Sequence, residues 1–280
     1  MKTVHTKAAV RAEIAALSGR GEHIALVPTM GFLHEGHLSL VDRARQRADR
    51  VVLSIFVNPL QFAPDEDFER YPRDLERDAA LAEARGADLI FAPPTDEVYG
   101  DAEPEIQVVP GRMADRLCGA FRPGHFQGVL TVVAKLFNIV QPAVAVFGRK
   151  DFQQAVLIQR MVRDLDIPVD IDVAPIVREE DGLAMSSRNA YLGPDDRERA
   201  TGLYLGLDAA RNAFQAGQRD AAALRERVVA ALTARNVEPQ YVELVDPATL
   251  DAVQRADTGH VLAVAAFVGR TRLIDNMVME

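Results

Sequence analysis

The chain is short of cysteine, of long apolar runs and of positive charge, and each shortage excludes a class of protein. Cys118 is the only cysteine among 280 residues, so an intrachain disulfide is excluded and a reducing compartment is favoured. No apolar run approaches the ~18 residues that a membrane-spanning helix needs, and the N-terminus lacks the apolar core of a signal peptide. We therefore expect a soluble, cytoplasmic protein.

The charge balance is acidic, because 41 Asp and Glu residues outnumber 32 Lys and Arg residues. A general nucleic-acid binder needs clustered Lys and Arg, so we expect neither nucleic acid nor a membrane as a partner. Zinc would require about four ligands, and the six histidines and single cysteine form no second tight cluster. An acidic protein that handles anionic substrates must concentrate its positive charge locally, which makes the few basic clusters candidate binding sites.

Strand-like and helix-like patterns alternate over the first part of the chain, which predicts an α/β domain with a parallel sheet and helices on both faces. A hydrophobic content of 48% is enough for a sizeable core. We expect this domain to cover residues 1–177. Its predicted strands cover 24–27, 51–57, 89–92, 143–147 and 169–173, and its predicted helices follow His37 and cover 68–85, 128–140 and 152–164.

From residue 178 the pattern changes. A polar loop over 178–189 leads into Ala-rich helical sequence over 195–216 and 220–234. Three predicted strands then cover 240–245, 260–267 and 271–277, and Val268-Gly269-Arg270 is a hairpin signal between the last two. These patterns predict a smaller α+β domain over residues 178–280.

The segment Pro28-Thr-Met-Gly-Phe-Leu-His-Glu-Gly-His37 joins a buried strand to a helix and carries two histidines three residues apart. Side chains at i and i+3 share one helical face, and a helix N-terminus offers N–H groups that suit a phosphate. Gly31 and Gly36 allow the backbone to approach a ligand closely. We interpret the segment as a turn that binds a nucleotide triphosphate, with helix capping and a structural metal as the alternatives.

Two further segments follow predicted strands, and ligands of such sheets bind at the carboxyl ends of the strands. The first, Asn58 to Phe62, is either a plain turn or a place where the Gln61 amide binds hydroxyl and carboxylate groups. The second, Gly148 to Asp151, includes Lys150, a mobile charge suited to a phosphoryl group. Asp151 could cap the next helix or accept a ribose hydroxyl, and Gln154 falls on the same helical face.

The polar loop also carries candidate phosphate ligands. Met185-Ser186-Ser187-Arg188 offers two hydroxyls and a guanidinium, and Arg binds phosphate in a bidentate manner. The alternative is a solvated linker. Arg122-Pro-Gly-His-Phe126 and Tyr71-Pro-Arg73 could serve as lids.

Taken together, these motifs resemble the pantothenate synthetase (pantoate–β-alanine ligase) family of the His-x-Gly-His nucleotidylyltransferase superfamily. The resemblance runs in matching order and spacing from about Ile24 to Leu192 and more loosely to the C-terminus. It implies a Rossmann-like N-terminal domain, a smaller α+β C-terminal domain that closes the site, and a homodimer. It also implies that ATP, with Mg²⁺ held largely by ATP oxygens, activates pantoate as an adenylate that β-alanine then attacks.

The resemblance assigns roles residue by residue. Catalysis would rest on His34, His37 and Lys150, with His37 as the proton donor to the leaving group. ATP would be bound by Met30, Gly31, Phe32, Leu33, His34, Glu35, Gly36, His37, Gly148, Arg149, Lys150, Asp151, Val177, Met185, Ser186, Ser187 and Arg188. Pantoate and β-alanine would be bound by Gln61, Gln154 and Asn58, and no residue is expected to act as a metal ligand.

Three residues depart from the family pattern. Arg149 and Cys118 stand where the family usually has Glu, and Leu60 stands where it usually has Met. We expect the Arg149 side chain to face away from the triphosphate, since neighbouring side chains point in different directions. Two other functions fit the fold: a nucleotidyltransferase that stops at a nucleotidylated product, and a nucleotide-binding regulator without turnover. Retention of both histidines, Lys150 and both glutamines argues against the regulator.

Overall fold

The computed structural model describes residues 1–64 and 66–280, which form two compact units. Unit 1 comprises Met1–Gly111, Arg122–Arg149 and Leu157–Pro175. Unit 2 comprises Arg112–Phe121, Lys150–Val156 and Ile176–Glu280.

Unit 1 is built on a six-stranded sheet in the order β1-β4-β3-β2-β5-β6, in which every neighbouring pair is parallel. The neighbours of β2 are β3 on one side and β5 on the other, so the strand order reverses at β2. Ligands of open α/β sheets bind outside the carboxyl ends of the strands at such a switch point. The strands are β1 (Lys2–Val4), β2 (Ile24–Thr29), β3 (Arg50–Ile55), β4 (Leu89–Phe91), β5 (Val144–Gly148) and β6 (Asp170–Ala174).

The helices of the first 175 residues are α1 (Lys7–Ser18), α2 (Glu35–Arg45), α3 (Leu75–Ala84), α4 (Thr95–Tyr99), α5 (His125–Val140) and α6 (Phe152–Asp164). The predicted helix over 68–85 was wrong at its start. Helix α3 begins only after Asp74, because the Asp74 carboxylate accepts a hydrogen bond from the Arg77 N–H and caps the first turn. The short elements β1, α1 and α4 were not predicted.

The core of unit 1 lies between the sheet and its helices. Val27, Leu53 and Ile90 contribute buried side chains from three neighbouring strands. Helix α2 buries Leu38, Val41 and Ala44 in the same core, which is the apolar face that the sequence spacing predicts. This packing fixes the N-terminus of α2 relative to the end of β2.

Unit 2 contains an antiparallel sheet in the order β7-β8-β9, formed by β7 (Pro239–Val245), β8 (Val261–Val268) and β9 (Thr271–Val278). Gly269 and Arg270 form the predicted hairpin, with Val268 paired to Thr271. Three helices, α7 (Pro194–Ala200), α8 (Gly202–Gln215) and α9 (Ala221–Thr233), contribute to its core. The predicted helical stretch over 195–216 is therefore two helices that meet at Thr201.

The observed architecture confirms the expected fold class, a Rossmann-like parallel sheet together with a smaller α+β part. Across residues 1–64 and 66–280, we find no helix with the length and apolar character to span a membrane.

Candidate active site

The two histidines of the predicted triphosphate turn lie together in unit 1. Strand β2 ends at Thr29, His34 is the N-cap of α2, and His37 is in the first turn of that helix. Their ring centroids are 4.1 Å apart. The His34 backbone N–H donates to His37 Nδ1 at 3.4 Å, and a neutral imidazole that accepts at Nδ1 carries its proton on Nε2. The turn thus combines helix capping with an imidazole that can donate a hydrogen bond. Helix capping and triphosphate binding, two of the interpretations drawn from the sequence, are therefore compatible.

A buried carboxylate from α3 holds the backbone of this turn. Gly31 and Phe32 are consecutive residues in the left-handed region, with φ of +84° and +52°. Asp78 accepts hydrogen bonds from the Phe32 and Leu33 N–H groups, each at 2.7 Å. Burial raises the pKa of the Asp78 carboxyl and outweighs the opposing effect of these two bonds. Asp78 was missed from sequence because it lies far along the chain from the turn that it holds.

The Gln61 turn is a 3₁₀ turn over Pro59–Gln61 in unit 1. Asn58 is buried, and its Nδ2 donates to Gln61 Oε1 at 3.2 Å and to the Gly128 carbonyl at 3.1 Å. Gln61 Nε2 lies 2.9 Å from Met30 Sδ, so the structure brings this turn next to the histidine turn. A direct contact of Asn58 with substrate stays a prediction, because its side chain is engaged in holding Gln61.

The Arg122–Phe126 motif contacts the same turn. The Gln61 carbonyl lies 2.7 Å from His125 Nδ1 and accepts from Arg122 Nη2 at 3.2 Å. Arg122 also donates from Nε and Nη2 to the two oxygens of Glu66, each at 2.5 Å. Burial alone would raise the pKa of the Glu66 carboxyl, but the bonds from Arg122 leave it lowered. This motif therefore contacts both Gln61 and Glu66.

In unit 2, Lys150 lies in a 3₁₀ turn that leads into α6. Its Nζ is 3.7 Å from Asp151 Oδ1, and its carbonyl accepts a hydrogen bond from Asn276 Nδ2 at 3.1 Å. Gln154 is half-buried one turn further on. Gln153, which was not predicted, is buried, and its Nε2 donates to the carbonyls of Met113 at 3.0 Å and Arg116 at 2.7 Å.

The loop with the predicted phosphate ligands is held by side chains of unit 2. The Val177 carbonyl accepts from the Met185 N–H at 3.0 Å. Arg178 makes a bidentate ion pair with Asp275 at 2.6 and 3.0 Å, and Asp275 is buried. Ser186 Oγ accepts from the Arg188 N–H at 3.3 Å, which caps the 3₁₀ turn Ser187–Tyr191. These contacts give the loop a defined conformation and argue against a solvated linker.

Cys118, one of the departures from the family pattern, is also in unit 2. Its thiol is buried, 3.1 Å from Tyr241 Oη and 3.5 Å from Arg272 Nη2. Burial, together with Cys118, raises the pKa of the Tyr241 hydroxyl well above its usual value. Among the described residues, no group of three or more His, Cys, Asp or Glu side chains could hold a metal ion.

A histidine-bearing turn that joins β2 to a helix N-terminus at the switch point of a parallel sheet defines a Rossmann-like, nucleotide-binding α/β enzyme. The sequence model of the pantoate-beta-alanine ligase family matches residues 2–278, and the chain belongs to that family. The resemblance drawn from the motifs, and the pantoate–β-alanine ligase activity that it implies, are thereby confirmed.

Individual relatives agree with this assignment. The chain is 52% identical over 287 residues to pantothenate synthetase 1 of Bradyrhizobium diazoefficiens, covering 100% of this chain and 99% of the relative. A pantothenate synthetase from Thermus thermophilus superposes with a TM-score of 0.94 at 47% identity, covering 100% and 99% of the two chains. A pantoate-beta-alanine ligase from Francisella tularensis, complexed with beta-gamma ATP and beta-alanine, superposes with a TM-score of 0.83 at 32% identity, covering 100% and 98%.

Proposed function

We propose that the chain condenses (R)-pantoate with β-alanine in two steps, with the magnesium complex of ATP as the activating substrate. A pantoate carboxylate oxygen attacks the α-phosphorus, the bond to the β-phosphate breaks, and pyrophosphate leaves. The β-alanine amine then attacks the acyl carbon of pantoyl adenylate, loses a proton and expels AMP. The product, pantothenate, is a precursor of coenzyme A. The observation that carries this proposal is the pair of imidazoles 4.1 Å apart at the start of α2, in a chain of the ligase family.

Positioning and charge stabilisation suffice for the first step, because the attacking group is already a carboxylate. We assign His34 and His37 to the phosphates that depart as pyrophosphate. The Nδ1 contact of His37 supports this assignment, because it leaves the Nε2 proton as the donor to developing negative charge. Met30 to Gly36 would supply the remaining contacts of the turn to the nucleotide.

We assign four residues of unit 2 to the triphosphate of ATP: Lys150, Ser186, Ser187 and Arg188. The defined conformations of the 3₁₀ turn around Lys150 and of the loop over 176–189 support these assignments. Gly148 and Asp151 would hold the ribose, and the Arg149 side chain would face away from the triphosphate. Val177 and Met185, which are joined through their backbones, would flank the adenine.

We assign Gln61 and Gln154 to binding the hydroxyl and carboxylate groups of pantoate. Gln61 would also help to position β-alanine. The contact of Gln61 with Met30 supports its role, since it sets the amide beside the turn assigned to ATP. Asn58 serves this substrate site chiefly by holding Gln61.

Product analysis with ATP, pantoate and β-alanine tests the proposal. We expect equal amounts of pantothenate, AMP and pyrophosphate. A stable nucleotidylated product would identify a nucleotidyltransferase instead, and nucleotide binding without turnover would identify a regulator. Omission of Mg²⁺ should abolish turnover, because the ion accompanies the phosphates of ATP.

We further propose that the enzyme is a homodimer that buries an apolar segment of unit 1. Ile106 and Val109 are 87% and 73% exposed, although both side chains are apolar. Burial against a second copy would remove this surface from water. Light scattering should give twice the chain mass, and Ile106→Asp with Val109→Asp should shift it to the monomer mass. An unchanged mass in that double variant would place the interface elsewhere.

A further inference from the structure

Gly128, in the first turn of α5, faces the Pro59–Gln61 turn with no space for a side chain. A Cβ atom at this position would lie 2.1 Å from the Leu60 carbonyl oxygen, 2.4 Å from the Leu60 carbonyl carbon and 2.8 Å from the Gln61 nitrogen. These are backbone atoms, so the clash cannot be relieved by a side-chain rotation. Any larger residue at position 128 must move the turn, α5 or both.

Hydrogen bonds hold the turn in this close contact with α5. Asn58 Nδ2 donates to the Gly128 carbonyl at 3.1 Å, and the Gln61 carbonyl lies 2.7 Å from His125 Nδ1. Tyr99 donates its hydroxyl proton to Asn58 Oδ1 at 2.8 Å. A tyrosine hydroxyl is protonated at neutral pH, and burial raises the pKa of the Tyr99 hydroxyl further. The turn is thus fixed by contact on one side and by hydrogen bonds at both ends.

The same contacts set the orientation of the Gln61 amide. Since Asn58 Nδ2 donates to Gln61 Oε1, the amide nitrogen of Gln61 is directed to Met30 Sδ, at 2.9 Å. A displacement of the turn therefore moves Gln61 relative to Met30 and the histidine turn. Misplacement of a reacting partner by about 1 Å can lower the rate on the order of 100-fold.

We propose that Gly128 is a positioning residue for pantoate, acting by fixing the place and orientation of Gln61. The inference rests on the proposed role of Gln61. A glycine inside a helix ordinarily lowers stability relative to alanine, so a structural requirement must favour it here. The requirement is the approach of the Pro59–Gln61 backbone, which only a residue without Cβ permits.

The test compares Gly128→Ala with Gly202→Ala, a matched helical control in unit 2. A Cβ at Gly202 would approach the movable Arg235 side chain at 3.0 Å, which can shift aside. We expect Gly128→Ala to raise the KM for pantoate roughly tenfold or more, with the Kd for ATP nearly unchanged. The control should change neither value.

A second variant covers the case in which Gly128→Ala fails to fold. Tyr99→Phe keeps the ring and removes only the hydroxyl that holds Asn58. It should raise the KM for pantoate by a smaller factor, again without weakening ATP binding. A purely structural role would instead lower the melting temperature and leave the pantoate KM unchanged.

A double-mutant comparison tests the route through Gln61. If Gly128 or Tyr99 acts through that side chain, adding its substitution to Gln61→Ala should raise the pantoate KM little further. If the two substitutions of a double variant instead multiplied their separate effects on the pantoate KM, the inference would be overturned. It would also be overturned by a wild-type pantoate KM in both Gly128→Ala and Tyr99→Phe. Absence of pantothenate formation by the wild-type enzyme would overturn the proposed function itself, so the two failures are distinguishable.

Discussion

Asp78→Ala should destabilise the enzyme more than an ordinary capping substitution, because this buried carboxylate holds the turn that carries the histidines. Its two oxygens accept from the Phe32 and Leu33 N–H groups at 2.7 Å each. A hydrogen bond to a charged group contributes about 1.5–3 kcal/mol, so two such bonds set an upper range of about 3–6 kcal/mol. Burial of the carboxylate, which raises its pKa, opposes this contribution. We therefore expect a loss of about 3 kcal/mol in the free energy of unfolding.

Urea unfolding measures this difference, and Asp74→Ala provides a control on the same helix. Asp74 is an exposed N-cap, so its removal should cost only about 1 kcal/mol. Asp78→Asn retains one acceptor oxygen and should fall between the two. Adenylate formation should decline in the Asp78 variants and stay near wild type in Asp74→Ala. A loss below about 1 kcal/mol in Asp78→Ala would refute the view that this carboxylate holds the turn.

Three further predictions concern other parts of the two units. Gln154→Leu should weaken pantoate binding and leave ATP binding nearly intact, because a site built on hydrogen bonds rejects partners that leave polar groups unpaired; calorimetry that shows the reverse would mean that the residue is misassigned. The hydrogen bond from Arg43 lowers the pKa of Asp172, so this carboxylate stabilises the fold above the usual carboxyl pKa and loses that effect as the pH falls through the lowered value. The difference in unfolding free energy between wild type and Asp172→Asn should thus be full above about pH 5 and shrink below about pH 4, and a difference independent of pH would contradict the ion pair. Asn276→Ala removes the donor to the Lys150 carbonyl, so it should slow adenylate formation while leaving the melting temperature close to that of the wild type. A rate of adenylate formation equal to that of the wild type would show that Lys150 needs no such support.

Local patterns in the sequence predicted the order and type of most elements. The parallel sheet followed from short apolar runs that alternate with amphipathic helices, and the buried face of α2 followed from the spacing of Leu38, Val41 and Ala44. The predicted elements were missed or misplaced where the sequence pattern was short or where a capping residue overrode it. Strand β1 has only 3 residues, and the capping carboxylate of Asp74 decided the start of α3.

Within the candidate site, individual side-chain contacts could be predicted only between residues that are neighbours in the chain. His34 and His37 are three residues apart, so helical geometry alone brings their rings together. The contacts of Asp78 with the histidine turn and of Gly128 with Leu60 join distant segments. Periodicity and spacing carry no information about such pairs, because tertiary packing determines them.

Positional isotope exchange in ATP, measured with pantoate and without β-alanine, tests the central claim most directly. The label begins in the oxygen that bridges the α- and β-phosphorus atoms, and it scrambles only if pyrophosphate forms reversibly on the enzyme. We expect exchange that depends on pantoate in the wild-type enzyme, and a loss of roughly 100-fold or more in His37→Ala and Lys150→Ala. Near-normal exchange in either variant would contradict the role assigned to that residue. No pantoate-dependent exchange in the wild type would contradict activation of pantoate as an adenylate.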